Sequence, residues 1–246
     1  MTPALKLTNV AKVFGGLRAV DGVSLDVKPG ERRALIGPNG AGKTTLFNLI
    51  AGALPVTLGT ITLFGQDVTR IAPHRRAWLG LSRTFQISNL FPTLTVIENC
   101  LLAVQALTPA RLAMHRPLRG YPALHERARQ TLESVGLADK ANETVKQLSH
   151  GEQRQLEIGL ALAGAPRLLL LDEPTAGLSP AESRHMAQLL GTLDPAMTVL
   201  IIEHDMDIAL EIATEVTVLH YGRVIVDGTR DEIRAHPMVR EIYLGA

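Results

Sequence analysis

The feature that most constrains this chain is an eight-residue glycine loop between a short apolar strand and a helix. Residues 37–44 read Gly-Pro-Asn-Gly-Ala-Gly-Lys-Thr and fit the pattern G-x-x-x-x-G-K-[ST]. Arg33 to Ile36 predicts a strand that runs into the loop, and Lys43 to Ala51 predicts a helix that leaves it. Backbone N–H groups and the positive end of the helix can then surround phosphate oxygens. The sequence therefore predicts a site for the phosphates of a nucleotide.

Within this loop, the side chains predict separate tasks. Lys43 would reach the β- and γ-phosphates, and Thr44 would offer its hydroxyl to Mg²⁺. The alternative is a glycine-rich turn that caps a helix, but the flanking strand and helix favour the phosphate site. The predicted nucleotide-binding residues are Gly37, Pro38, Asn39, Gly40, Ala41, Gly42, Lys43, Thr44 and Thr45.

A second candidate site follows the four-leucine run at 168–171. Asp172 and Glu173 come directly after this predicted buried strand, at the edge where α/β sheets hold their ligands. We expect Asp172 to hold Mg²⁺ through its water shell and Glu173 to act as general base on the attacking water. Successive strand residues point to opposite faces, so both carboxylates can share a site only because the strand ends there. The alternative is two solvated acids before Pro174.

The order of elements predicts an α/β fold with a mainly parallel sheet core. Beyond the glycine loop, helices at 152–163 and 181–193 alternate with strands at 168–171 and 198–202, and a hairpin at 216–227 precedes short helices. Approximately residues 1–30 predict part of an antiparallel β subdomain, with strands around 5–10 and 20–27. Approximately residues 96–150 predict an inserted helical subdomain, and residues 1–246 a single domain.

Composition argues against several classes of protein. Hydrophobic residues make up 46% but only nine residues are aromatic, which suits an aliphatic core around a parallel sheet. A net charge of +1 argues against a nucleic-acid binder that relies on overall charge, and the single Cys100 allows no internal disulfide, as in a reducing cytosol. Residues 44–66 carry no charge and are long enough to cross a membrane. Gly, Pro, Asn and Thr interrupt them, however, so we expect a helix, a turn and a strand instead of a membrane span. The N-terminus lacks the pattern of a secretory signal.

The hexapeptide Leu148 to Gln153 resembles the LSGGQ signature of ATP-binding cassette (ABC) ATPases. Ser149 and the Gly151 N–H lie at the start of a predicted helix and could bind a γ-phosphate. Ser149 and Glu152 also have the Ser-x-x-Glu spacing of a capping box, and both interpretations can hold together. The sequence departs from the signature at His150 and Glu152.

Other positions match the same family in order. Phe14 resembles the aromatic residue that stacks on adenine, Gln86 the residue that links Mg²⁺ and the nucleotide to the membrane partner, and His204 the switch histidine that contacts the γ-phosphate. Gly177 to Ser179 occupies the D-loop position, with Ser179 in place of the commoner aspartate. The resemblance thus implies the catalytic residues Glu173, His204, Gln86 and Lys43, the Mg²⁺ residues Thr44, Gln86 and Asp172, and the signature residues Ser149, His150, Gly151 and Glu152. Six arginines are predicted to form a solvated face: Arg70, Arg75, Arg76, Arg111, Arg116 and Arg119.

The resemblance also implies cofactors and partners. The cofactors would be ATP and Mg²⁺, and two ATP molecules would lie between two ATPase subunits, identical or paralogous, in a head-to-tail dimer. Integral membrane permease subunits would bind this dimer, which would be peripheral at the cytoplasmic face of the cell membrane and cytosolic if expressed alone. A periplasmic or extracellular solute-binding protein would act indirectly, and nucleic acid is not an expected partner.

Four segments resemble the ATPases of branched-chain amino-acid importers: residues 14–17, residues 85–87, residues 91–99 and the tail at 241–245. Urea or amide importers and lipopolysaccharide exporters are similar there and stay open as alternatives. A soluble ABC ATPase acting on DNA or the ribosome would typically carry two cassettes or a long coiled-coil insertion. A P-loop GTPase or small-molecule kinase would lack the signature, and the Asn-Lys-x-Asp motif of GTPases is absent from this sequence.

Overall fold

In the computed structural model, the described residues are 2–84, 90–106, 108 and 120–244, without the side chains of 240 and 242–244. The strands are β1 (Leu5–Phe14), β2 (Leu17–Val27), β3 (Arg32–Ile36), β4 (Leu58–Leu63), β5 (Gln66–Asp67), β6 (Leu81–Arg83), β7 (Leu168–Asp172), β8 (Thr198–Ile202), β9 (Glu215–His220) and β10 (Arg223–Thr229). The helices are α1 (Lys43–Ala51), α2 (Pro73–Trp78), α3 (Val96–Ala106), α4 (Pro122–Ser134), α5 (His150–Leu162), α6 (Pro180–Gly191), α7 (Met206–Ile212), α8 (Arg230–Ala235) and α9 (Pro237–Leu244).

The central sheet has the strand order β10-β9-β3-β8-β7-β6. Its pairs are parallel except that of β9 with β10, a hairpin at one edge. Because β7 and β8 are buried along their whole length, they are continuous apolar runs rather than alternating ones. The predicted α/β fold with a mainly parallel sheet is confirmed.

A second, antiparallel sheet has the order β2-β1-β4-β5 and includes the two N-terminal strands. It also takes in β4 and β5, which lie far along the chain from the first two strands. Helix α1 packs between the two sheets, with Leu46 and Phe47 buried against residues of both. The uncharged stretch 44–66 is thus a helix, a turn and a strand, as predicted.

The opposite face of the central sheet is covered mainly by helices. The side chains of α3, α4 and α5 form one core with Leu169 and Leu171 of β7, whereas Leu168 and Leu170 face α1. A short 3-10 helix, Val145–Gln147, leads from this region into α5. None of the helices that the structure describes combines the length and the apolar character needed to cross a bilayer.

Arg76 contradicts the prediction of a solvated arginine face. Arg70 and Arg75 are exposed, but Arg76 is 1% exposed and donates to the carbonyl oxygens of Leu49 at 2.8 Å and Ile50 at 2.6 Å. These carbonyls lie in the last turn of α1, where carbonyl groups lack partners within the helix and no basic residue of α1 is present. The buried Arg76 side chain therefore caps the carboxyl end of α1 from another segment of the chain. Arg111, Arg116 and Arg119 lie outside the described residues.

Candidate functional site

The phosphate loop joins β3 to α1, and its glycines are required by their surroundings. Gly42 precedes the first residue of α1 with φ of 100°, a left-handed conformation that favours glycine. A Cβ atom at Gly42 would overlap the carbonyl oxygen of Ala19, and one at Gly37 would overlap that of Leu219. The loop is thus enclosed by the backbone of β2 on one side and of β9 on the other.

The turn between β9 and β10 is hydrogen-bonded to this loop and holds it in place. The Gly222 N–H donates to the carbonyl oxygen of Ala41 at 2.9 Å, and the Asp21 N–H donates to the carbonyl oxygen of Gly222 at 2.8 Å. Together these segments surround a cleft of about 380 Å³. Its lining residues are Leu17, Arg18, Ala19, Asn39, Gly40, Ala41, Gly42, Lys43, Thr44, Thr45, Glu173, Tyr221 and Gly222.

The ammonium group of Lys43 turns back onto its own loop. Its Nζ donates to the carbonyl oxygens of Gly37 at 2.6 Å and Pro38 at 3.1 Å. Burial lowers the pKa of Lys43 below its ordinary value, while the charges of Glu173 and Asp172 oppose that shift. A phosphate group that reached Lys43 would thus meet a cation that is short of hydration.

Asp172 is the last residue of β7 and is fully buried. Its Oδ2 accepts a 2.7 Å hydrogen bond from Nη2 of Arg83, and its Oδ1 has no hydrogen-bond partner among the described residues. A buried oxygen without a partner is unusual and suits an ion or its water shell, and Mg²⁺ prefers oxygen ligands. The free oxygen of Asp172 therefore fits a magnesium site, and Thr44, which lines the cleft, carries a hydroxyl oxygen of the kind that Mg²⁺ prefers. Gln86, the third predicted Mg²⁺ residue, lies outside the described residues.

Glu173 lines the cleft because the chain turns sharply after Asp172. Its φ is +48°, a left-handed value that is rare for a residue with a side chain, and its N–H donates to the carbonyl oxygen of Ile202 at 3.0 Å. The strand ends here, as the sharing of one site by two successive carboxylates requires. Backbone strain of this kind concentrates at functional sites.

His204 follows β8 but lies outside the cleft of the phosphate loop. Its side chain is 58% exposed and lines a groove of about 420 Å³ together with Gly177 and Leu178 of the D-loop position. The preceding Glu203 is buried, and its Oε1 accepts hydrogen bonds from the Thr175 N–H at 3.2 Å and hydroxyl at 2.8 Å. Burial raises the pKa of Glu203 above the ordinary value.

Phe14 ends β1 and is 45% exposed, with the Lys12 ammonium 5.0 Å from its ring centre. It is not among the residues that line the phosphate-loop cleft. Tyr221 does line the cleft, is 79% exposed and has φ of +45°. The sequence analysis did not predict Tyr221 as a residue of the cleft. The available signal was a tyrosine beside a glycine in the turn of the predicted hairpin at 216–227.

Ser149 caps α5 in the manner of a capping box. Its hydroxyl accepts from the Glu152 N–H at 3.3 Å, while its own N–H donates to Oε2 of Glu152 at 2.8 Å. Lys140 pairs with Glu152 at 2.5 Å, and this hydrogen bond is the largest cause that lowers the pKa of Glu152. The Ser149 oxygen acts as acceptor in the cap and keeps its own proton, which an anion could accept. Capping and phosphate contact are thus compatible.

The signature and the phosphate loop line different grooves of the molecule. Ser149, Gly151 and Glu152 line a groove of about 350 Å³ against α6, and this groove shares no lining residue with the phosphate-loop cleft. His150 is exposed, and a Cβ atom at Gly177 would lie 3.2 Å from its Nε2. The signature therefore does not complete the phosphate site of its own chain.

Comparison with known proteins adds independent information. Residues 20–176 match the family model described as ABC transporter. The chain is 38% identical to the high-affinity branched-chain amino acid transport ATP-binding protein BraF of Pseudomonas aeruginosa, across 99% of this chain and 98% of the relative. It is 39% identical to the protein LivG of Escherichia coli, which has the same description, with the same coverage.

Solved structures agree with these relatives. A nucleotide-free ATP-binding cassette from an ABC transporter superposes with a TM-score of 0.85 at 32% identity, over 99% of this chain and 100% of that chain. Another cassette, in its ADP conformation, superposes with a TM-score of 0.86 at 31% identity, over 100% of both chains.

Proposed function

The chain belongs to the ABC transporter family, and from that premise we propose that it is the ATP-hydrolysing subunit that powers an importer of branched-chain amino acids. Its near-complete coverage of relatives described as branched-chain amino acid transport ATP-binding proteins carries this proposal. The positions of Lys43, Asp172 and Glu173 around the phosphate loop support the ATPase activity.

The residues of the cleft divide the chemistry. Backbone N–H groups of the loop and the Lys43 ammonium bind the phosphates of ATP. Mg²⁺, when bound by Thr44 and Asp172, would neutralise charge on the phosphates. Glu173 orients a water molecule and accepts its proton at a carboxylate oxygen. Gln86 and His204 would complete the contacts to the γ-phosphate, and Phe14 would stack on adenine.

Two copies, or this chain and a paralogue, are needed for the complete site. The signature residues Ser149, His150, Gly151 and Glu152 lie away from the phosphate loop of their own chain, which supports a head-to-tail dimer. Each signature would close on the ATP held by the partner. A closed form that binds ATP more tightly than the open form would couple ATP binding to movement of the membrane subunits.

The membrane partners are integral permease subunits, which this chain would meet at the cytoplasmic face of the cell membrane. A solute-binding protein outside the membrane would act on the ATPase indirectly, through the permease. Nucleic acid has no part in this proposal.

The ATPase proposal is tested with Glu173→Gln in the assembled complex. The variant should bind Mg-ATP normally but hydrolyse it about 10²- to 10⁴-fold more slowly, because the water loses its base. Glu215→Gln is the matched control, since Glu215 is the first residue of β9 and so lies at the amino ends of the parallel strands, whereas Glu173 follows the carboxyl end of β7. Near-normal hydrolysis by Glu173→Gln would contradict the assignment.

Cargo and location need separate experiments. Leucine, isoleucine or valine, with the cognate binding protein, should stimulate the ATPase of the complex, and no response would count against branched-chain import. Stimulation by urea or an amide would instead support the related importers. Co-expression with the permease should carry the chain into the membrane pellet, and a soluble ABC ATPase would stay in the supernatant.

A further inference from the structure

We propose that Arg83, with Asn48, is a positioning pair that holds one oxygen of Asp172 and leaves the other open for the metal ion. This inference rests on the proposed ATPase function and extends it to residues without an assigned role. Arg83 is the last residue of β6, and Asn48 lies in α1.

The guanidinium group of Arg83 spans two elements. Its Nη2 donates to Oδ2 of Asp172 at 2.7 Å, and its Nη1 donates to Oδ1 of Asn48 at 2.6 Å. The side chains of Arg83 and Asp172 are 12% and 0% exposed. The two terminal nitrogens of one rigid fork therefore bind different partners.

This division decides what Asp172 can do. Arginine and carboxylate groups frequently pair through two parallel hydrogen bonds, which would occupy both carboxylate oxygens. The bond to Asn48 fixes the orientation of the guanidinium group, and Nε of Arg83, which is buried and has no hydrogen-bond partner among the described residues, does not pair with the second oxygen of Asp172. Oδ1 of Asp172 is left buried and without a partner among the described residues, and is available to an ion or its water shell.

The pairing also balances charge. A fully buried, unpaired carboxylate would be strongly destabilising, so Arg83 lets the protein fold before a metal ion binds. The pairing lowers the affinity for metal, because a divalent ion that approaches Asp172 meets a neutral ion pair rather than an anion. Asn48 and Arg83 should therefore have opposite effects on metal affinity: Asn48 keeps an oxygen available, and Arg83 weakens its charge.

The test measures Mn²⁺, which like Mg²⁺ suits oxygen ligands, by electron paramagnetic resonance in the presence of ADP. Asn48→Ala should release Arg83 to take both oxygens of Asp172 and weaken Mn²⁺ binding about tenfold. Arg83→Gln should strengthen Mn²⁺ binding about tenfold, with a lower melting temperature without metal. ADP affinity in EDTA should stay within about twofold for both variants, because neither side chain touches the phosphate loop.

Opposite shifts from two partners of one network would not arise from general loosening of the structure. Arg167→Gln is the matched control, since Arg167 precedes the other end of β7 and packs on Phe64. The proposal is overturned if the two variants shift Mn²⁺ affinity in the same direction, or if Asn48→Ala leaves it unchanged. If Arg83→Gln does not fold, Asn48→Ala decides the outcome alone. Failure of the unaltered chain to bind ADP would instead count against the proposed function.

Discussion

The ammonium nitrogen of Lys43 lies 2.6 Å from the carbonyl oxygen of Gly37, so the lysine bridges the two ends of the phosphate loop. A second bond, to the carbonyl oxygen of Pro38 at 3.1 Å, fixes the direction of the ammonium group. The cation at the end of the loop thus helps to hold the loop in its shape.

Lys43→Ala should weaken ATP binding about 10- to 100-fold, because a charge-assisted hydrogen bond contributes about 1.5–3 kcal/mol. Isothermal titration calorimetry with Mg-ATP measures this change. The control is Lys6→Ala, which removes an exposed ion pair with Asp26 in the antiparallel sheet and should leave the affinity unchanged. Equal affinities for Lys43→Ala and the unaltered chain would contradict the role of Lys43.

Gly42→Ala should destabilise the chain much more than Gly40→Ala. Both positions have a left-handed φ, which costs a residue with a side chain about 1–2 kcal/mol. A Cβ at Gly42 also overlaps the carbonyl oxygen of Ala19, which adds about 1–3 kcal/mol, whereas a Cβ at Gly40 meets no atom within 4 Å. Urea unfolding compares the two variants. Equal costs would show that β2 does not confine the loop.

Ser149 has two predicted tasks that substitutions can separate. Ser149→Ala should lose about 1 kcal/mol of stability and also lose ATP-dependent dimer formation, which size-exclusion chromatography in a Glu173→Gln background detects. Ser149→Asp should keep the stability, because aspartate caps helices as well as serine does, but should still prevent the dimer through repulsion of phosphate.

Thr229 provides the matched control for these variants, since it caps α8 with Glu232 through the same capping box. Thr229→Ala should lose a similar amount of stability and leave dimer formation intact. Normal dimers of Ser149→Asp would mean that Ser149 is a helix cap and nothing more.

Glu203→Gln should change how stability depends on pH. Burial raises the pKa of Glu203 in the folded state above its ordinary value of 4.5, so its contribution to stability is present below that value and is lost as the pH rises through the raised pKa. The variant should therefore gain stability relative to the unaltered chain as the pH rises, measured by urea unfolding at about pH 5 and about pH 8.

Glu232→Gln should show the opposite trend at lower pH, measured by urea unfolding at about pH 3 and about pH 5. The hydrogen bonds from Thr229 lower the pKa of Glu232, so its contribution is present above the ordinary value and is lost as the pH falls. The same pH dependence in both variants would contradict the burial effect at Glu203.

Much of the site could be predicted because its signals are local. Lys43–Ala51 is helical over the predicted span, and Thr198–Ile202 is a strand over the predicted span. The glycines of the loop are adjacent in sequence to the helix that follows them. The two carboxylates likewise come directly after the leucine run of the strand that positions them. Adjacent residues thus carry enough information to place the cleft in the fold.

The contacts that could not be predicted join distant parts of the chain. Arg76 looks like a surface residue in a basic stretch, and its burial depends on carbonyl groups 26 and 27 residues earlier. Arg83 pairs with Asp172 across 89 residues, and Glu203 binds Thr175 across 28. The hydrophobic periodicity of the sequence does not predict the last two pairs, because they depend on how β6, β7 and β8 lie side by side.

The turn at Gly222, which fastens Ala41 in the phosphate loop, has a consequence for biosynthesis. A ribosome makes the loop early, but the backbone that closes it comes from β9 and the turn after it, almost two hundred residues later. A nascent chain shorter than about 222 residues therefore exposes a phosphate loop with one wall missing. The wall that this turn provides is therefore added only when nearly the whole polypeptide has been synthesised.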